Sequence, residues 1–195
     1  MKTIIIANGN LDHQEINWGE YDFIVATDGG ANQCMNLNIR PDLIIGDFDS
    51  ISEKALEVFK NVKQIKIEDQ NKTDLEKAID YLGGRGHIII DVCGATSCDR
   101  VDHTLANIFL LKQYPDLKIK IISRNNIIEI VNNKILKNMK SAEVSIFPIK
   151  NNSEISLKGF KWNEIENYSV SNLITEDIAE IKSDKKFILI INKKA

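Results

Sequence analysis

The sequence predicts an α/β N-terminal domain, a mostly parallel sheet with flanking helices, followed by a small all-β C-terminal sandwich domain. Three observations carry this reading. Up to residue 123, short apolar runs alternate with segments of helical period, the rhythm of a sheet wrapped by helices. From residue 124 the helical period disappears and closely spaced strand candidates take over, as in a sandwich of about seventy residues. Five successive runs of the first half end in Asp, Gly, Asn or Thr, as strand ends that meet ligands do in an open parallel sheet.

The strand candidates of 1–123 are "TIIIA", "DFIVAT", "DLIIG", "KQIKI", "HIIIDVC" and "KIKIIS". Between them, Leu75, Ala78, Ile79 and Leu82 follow the i, i+3, i+4, i+7 spacing of a helix with one apolar face. Leu105, Ile108, Phe109 and Lys112 nearly repeat it. Ser50 with Glu53 and Thr73 with Glu76 have the spacing of capping boxes, in which a hydroxyl accepts from the third helical N–H. The segment 124–195 offers "NIIEIV", "AEVSIFPI", "SEISLKGF", "YSVSNLI", "IAEIK" and "FILII". No Pro/Gly/Ser-rich linker separates the halves, and no repeat or low-complexity tract is present.

Composition is that of a globular protein: 43% hydrophobic and 27% charged over 195 residues, with net charge -3. This excludes a global attraction to nucleic acid or an anionic membrane, so a phosphate-bearing ligand must be held by local groups. The opening "MKTIIIANGN" is too short in apolar residues for a signal-peptide core, and a cytoplasmic protein is expected. Cys34, Cys93 and Cys98 are odd in number and form no CxxC pair, which argues for reduced thiols rather than a disulfide framework or zinc site.

The strand ends gather "NG" (Asn8, Gly9), "TDGGAN" (Thr27 to Asn32), "GDFDS" (Gly46 to Ser50), "EDQNKTD" (Glu68 to Asp74) and "GATSCDRVDH" (Gly94 to His103). Each has an ordinary structural reading, since Asp and Asn cap helices and glycine permits positive φ. Together they collect Asp28, Asp47, Asp49, Asp69, Asp74, Asp99 and Asp102 along one sheet edge. Packed carboxylates repel by up to about 4 kcal/mol per close pair at an effective dielectric of about 20 unless a cation offsets them. Oxygen-only ligands select a hard cation, and a few carboxylates shared with phosphates suit Mg²⁺. The glycines of "DGGAN" let backbone approach an anion at a helix start. Neither GxGxxG nor GxxxxGK[ST] occurs, so those phosphate-binding modes are excluded. On spacing alone Arg100 either grips a phosphate or pairs with Asp99 or Asp102. His13 and His87 read as structural, and Trp162 as a core residue or a stacking platform.

In order, "DGGAN", "PDLIIGDFDS", "DQNKTDLEKAI" and "DRVDHTLANIFLL" closely resemble the motif series of the thiamin pyrophosphokinases, and "VSIFPI", "SLKGFKW" and "SVSN" resemble that family's later landmarks. The resemblance implies an ATP- and Mg²⁺-binding catalytic domain over 1–123 and a thiamin-binding and dimerisation domain over 124–195. It further implies a homodimer with active sites at the subunit interface. The implied reaction moves pyrophosphate from MgATP to the hydroxyethyl group of thiamin, giving thiamin diphosphate and AMP. By position, Asp47, Asp49 and Asp74 resemble the Mg²⁺ carboxylates, and Arg100 and Asp102 further catalytic positions. Asn8, Asp28, Gly29, Gly30, Asn32, Gln70 and Thr73 fall in loops resembling the nucleotide-binding ones, and Ser171 and Asn172 match the segment that meets thiamin. Asp102 or His103 is a candidate base for the alcohol proton.

One departure from the family pattern is local. A glycine-rich "GGR"-like turn is usual before "DH", whereas here Ser97, Cys98 and Asp99 intervene with one residue more. Two other readings share part of the pattern: a pyrophosphokinase acting on another alcohol, such as a hydroxymethylpterin, and a non-catalytic nucleotide- or thiamin-binding protein.

Overall fold

The computed structural model describes residues 1–11, 16–96 and 100–192. His13 and the Ser97-Cys98-Asp99 departure lie outside the described residues. The chain divides into two compact units, Met1–Arg124 and Asn125–Ala195.

In the first unit β1 (Lys2–Ile6), β2 (Phe23–Thr27), β3 (Leu43–Gly46), β4 (Lys63–Lys66), β5 (Ile89–Cys93) and β6 (Lys118–Ile122) form parallel pairs in the order β4-β3-β2-β1-β5-β6. Each expected run of this half becomes one strand. Ile4, Ile5 and Ile6 are all fully buried, because a parallel sheet covered on both faces buries successive side chains alike. Ile4, Ile6, Ala26 and Ile44 share a core cluster with Ala31 and Cys34 of α1 (Asp28–Asn36) and Ala55 of α2 (Glu53–Val58). α3 (Asp74–Gly83) packs against β2 and β3. Its Leu75, Ala78, Ile79 and Leu82 are buried, as their spacing predicts, and each leucine or isoleucine contributes roughly 1.5–3 kcal/mol of apolar burial.

Two local expectations are corrected. α2 is capped by Ser52, whose hydroxyl accepts from Ala55 N at 3.2 Å, and not by Ser50; Ser50 lies two residues early and donates its hydroxyl to Asp49 Oδ1 instead. On α4 (Val101–Leu110), Ile108 and Leu110 are buried, whereas Val101, Leu105 and Phe109 form an exposed i, i+4, i+8 stripe. Periodicity reports that a helix has an apolar face, not what covers it.

The second unit is antiparallel throughout its described pairs. β7 (Asn126–Lys137) pairs along β11 (Ile178–Asn192), whose end at Phe187–Asn192 also carries β8 (Glu143–Pro148) and whose start carries β9 (Ile155–Lys158). β10 (Ser169–Leu173) pairs with β8. "IAEIK" and "FILII", expected as separate strands, are one strand: the polar "SDKK" between them is a bulge, where the register steps from Lys182↔Asn133 to Phe187↔Val131. Val144, Ile146, Leu157, Ile181, Phe187 and Leu189 belong to the core of this unit. Among the described residues no helix is long and apolar enough to cross a membrane.

Candidate active site

The carboxyl ends of β1, β2, β3 and β5 are drawn together by glycines. Gly9 N donates to Gly94 O at 2.9 Å, and a Cβ on Gly9 would lie 2.5 Å from that oxygen. A Cβ on Gly30 would lie 1.9 Å from Ile6 O, and one on Gly29 would strike the Asn8 side chain. Only glycine lets the start of α1 press against the end of β1 in this way. Thr27 caps α1 by accepting from Gly30 N at 3.1 Å, so the "TDGG" turn is fixed from both sides.

Asp28 follows directly and is 1% exposed. Its carboxylate accepts from Gly29 N at 2.6 Å and Ser50 N at 3.2 Å, which ties the β2 end to the "GDFDS" loop. Gly46 makes room for it, since a Cβ there would lie 2.9 Å from Asp28 Cβ. Burial, and then the charge of Asp74, push the Asp28 carboxyl up to about 6 against the two N–H bonds. Asn32 holds the same loop: its Nδ2 donates to Ser50 O at 2.8 Å and its Oδ1 accepts from Ser52 N at 2.9 Å.

Asp47 stands just past β3 and Asp74 opens α3, whose cap is Thr73, accepting from Glu76 N at 3.2 Å as the capping-box spacing predicts. One carboxylate oxygen from each of Asp28, Asp47 and Asp74 lies within 4.8 Å of the others. Between two of them sits Lys77, 2% exposed, with Nζ 2.9 Å from Asp47 Oδ2 and 2.9 Å from Asp74 Oδ1. Burial pushes the Lys77 ammonium down, but the hydrogen bonds and charges of Asp74 and Asp47 outweigh it and hold the group above its ordinary range. The same contact, first among its causes, lowers the Asp47 carboxyl.

The expected site residues thus fall into separate groups. Asp47 and Asp74 converge with Asp28, while Asp49 is exposed and accepts from Ser50 Oγ at 2.8 Å. Gln70 reaches Asp47 Oδ2 at 3.5 Å, and Asp47 Oδ1 accepts from Asp49 N at 3.3 Å. Arg100 and Asp102 form a two-pronged pair, Nε to Oδ1 at 3.0 Å and Nη2 to Oδ2 at 2.9 Å, which holds the Asp102 carboxyl far below the usual range. In the second unit Ser171 sits at a bulge of β10 with φ 53°, its N donating to Ser145 Oγ at 3.2 Å. Asn172 is fully buried, with Oδ1 accepting from Trp162 N at 3.2 Å and Nδ2 donating to Trp162 O at 2.7 Å. Trp162 itself is 50% exposed, which removes the core reading of this residue.

Sequence reasoning missed Lys77; it gathered Asp28 with the other strand-end carboxylates, while the family resemblance set the same residue among the nucleotide-binding positions. The signal for Lys77 was a basic residue three positions after Asp74, where helical geometry brings side chains together. An all-oxygen set of this size suits a hard divalent cation, and the donors of Asp28, Asp47 and Asp74 fit Mg²⁺ on that ground.

Residues 15–123 match the family model for the catalytic domain of thiamin pyrophosphokinase. The thiamine pyrophosphokinase of Bacillus subtilis (strain 168) is 30% identical over 175 residues, which span 83% of this chain and 81% of that protein. Thiamine pyrophosphokinase 2 of Arabidopsis thaliana is 26% identical over 98% of this chain and 86% of its own. The crystal structure of thiamin pyrophosphokinase from Geobacillus thermodenitrificans shares the fold at a TM-score of 0.84 and 24% identity, covering 100% of this chain and 98% of that one.

Proposed function

The chain belongs to the thiamin pyrophosphokinase family, and from that membership we infer that it is an ATP-dependent diphosphotransferase that makes thiamin diphosphate and AMP from thiamin and ATP. The observation that carries the reading onto this chain's own residues is the convergence of Asp28, Asp47 and Asp74 at linked strand and helix ends of the matched catalytic region.

In this reading Asp28, Asp47 and Asp74 would hold Mg²⁺, with Asp49 of the same loop as a further carboxylate for it. When bound, Mg²⁺ neutralises triphosphate charge and orients the β-phosphorus for attack. The chain's own part is alignment. The turn at Gly29 and Gly30, with Asn8 beside it, offers backbone close to the nucleotide, and Asn32 keeps the "GDFDS" loop seated. Gln70 and Thr73 border the phosphates. Arg100 would exchange Asp102 for a phosphate oxygen as charge builds, and Asp102, once released, or His103 would take the alcohol proton.

The units Met1–Arg124 and Asn125–Ala195 take the ATP and the thiamin respectively. Ser171 presents its exposed hydroxyl to thiamin, Asn172 fixes the loop from beneath, and Trp162 offers a ring face for stacking. A homodimer in the cytoplasm completes the proposal. The test is incubation with Mg²⁺, ATP and thiamin followed by nucleotide chromatography. AMP that forms only with thiamin present is expected; AMP formed with a hydroxymethylpterin but not with thiamin would assign another acceptor, and no nucleotide change would leave a binding protein.

A further inference from the structure

The cation at the acidic group is a residue of the chain. Lys77 Nζ touches Asp47 and Asp74 at 2.9 Å each, and its side chain is 2% exposed. An ammonium so enclosed stays charged only because carboxylates surround it. The carboxylates need it in turn: three acidic side chains with donor atoms within 4.8 Å of one another repel strongly when nothing positive lies among them. Three carboxylates against one ammonium leave two negative charges, which one divalent cation would neutralise.

Resting on the Mg²⁺ reading above, we propose that Lys77 is a positioning residue, a resident counter-cation that holds Asp47 and Asp74 together before metal arrives and sets the group's charge for a single divalent ion. The two cations serve the same carboxylates. Each is therefore worth less in the other's presence, and the coupling between Lys77 and the metal is negative. A lysine that merely braces α3 against β3 would stabilise the fold equally with and without metal.

The experiment uses the whole chain and the metal alone. Thermal unfolding and calorimetric titration with Mn²⁺ are compared for wild type, Lys77→Met and Lys77→Arg. Lys77→Met should have a lower melting temperature without metal, a larger rise on Mn²⁺ saturation, and a dissociation constant lower by about tenfold or more. Repulsion between a divalent and a monovalent cation about 5 Å apart gives a factor of this order even in a water-like dielectric, so about tenfold is the least expected at a site this enclosed. Lys77→Arg keeps the charge and should behave as wild type. A rise and a dissociation constant unchanged in Lys77→Met would overturn the inference while leaving the metal site standing. No saturable Mn²⁺ effect in wild type would remove the metal reading and this inference together. If Lys77→Met fails to fold without metal, recovery with Mn²⁺ and in Lys77→Arg supports the inference, and recovery in neither overturns it.

Discussion

Asp47 at the end of β3 and Lys77 within α3 meet at 2.9 Å across thirty positions of sequence, so the strand end and the helix are fastened to each other through the site itself. Replacing one partner uncouples both. Asp47→Asn should lower turnover about a thousandfold, the order of several kcal/mol that a polarising metal contributes to a charged transition state. The same change should destabilise the protein by about 1–3 kcal/mol, because Lys77 is left buried with one carboxylate instead of two. AMP formation and urea denaturation measure the two effects. Near-wild-type turnover in a folded variant would remove Asp47 from the metal site.

The helix caps give a prediction independent of chemistry. Thr73→Ala and Ser52→Ala each delete a hydroxyl that accepts from a first-turn N–H, at about 1 kcal/mol apiece. Ser50→Ala removes no cap, and its stability should stay within about 0.5 kcal/mol of wild type. Denaturation midpoints separate the three. Equal losses at Ser50 and Ser52 would show that the cap lies elsewhere.

What the sequence could and could not announce follows from which interactions are local. The parallel strands were readable because apolar runs such as Ile4-Ile5-Ile6 need no partner to be recognised, and Thr73 because its capping bond spans three residues. Lys77 was invisible as a buried residue: only the fold shows that Asp47 stands beside it. Asp28 was already legible among the strand-end carboxylates, but the bond that ties it to the next loop, from Ser50 N, is visible only in the fold. The break expected at "SDKK" was misread because polarity marks a bulge and a turn alike, and only the partner β7 distinguishes them. The exposed stripe of Val101, Leu105 and Phe109 had the spacing of a buried face.

Stability should depend on pH through His87, at the opposite end of β5 from the acidic loops. The ring is 7% exposed, with Nδ1 2.7 Å from Thr3 Oγ1 and the Phe23 ring 5.3 Å away. Burial first, and then the positive charges of the N-terminus and Arg85, lower its proton affinity below the ordinary 6.5. The unfolded chain therefore binds the proton more readily than the folded one. The contribution is fully present above about 6.5 and is lost as pH falls through the depressed folded value. Urea midpoints between pH 7 and 5 should decline in wild type and decline less in His87→Gln. Equal slopes would show that His87 does not titrate on unfolding.

Asn172 and Trp162 separate support from contact in the second unit. The Asn172 amide serves both Trp162 N and Trp162 O from a fully buried position, so Asn172→Ala leaves two backbone groups without partners. That should reduce stability by about 2 kcal/mol and, by freeing the Trp162 loop, raise KM for thiamin. Trp162→Ala removes a half-exposed ring that bears little of the fold, and stability should change by less than about 1 kcal/mol. If the ring stacks on thiamin, KM for thiamin rises about tenfold, on the scale of an aromatic pair plus its buried area, while KM for ATP holds. Steady-state kinetics with each substrate varied, alongside thermal unfolding, distinguish the two variants. A Trp162→Ala enzyme with unchanged KM for thiamin would exclude stacking and leave Asn172 a purely structural asparagine.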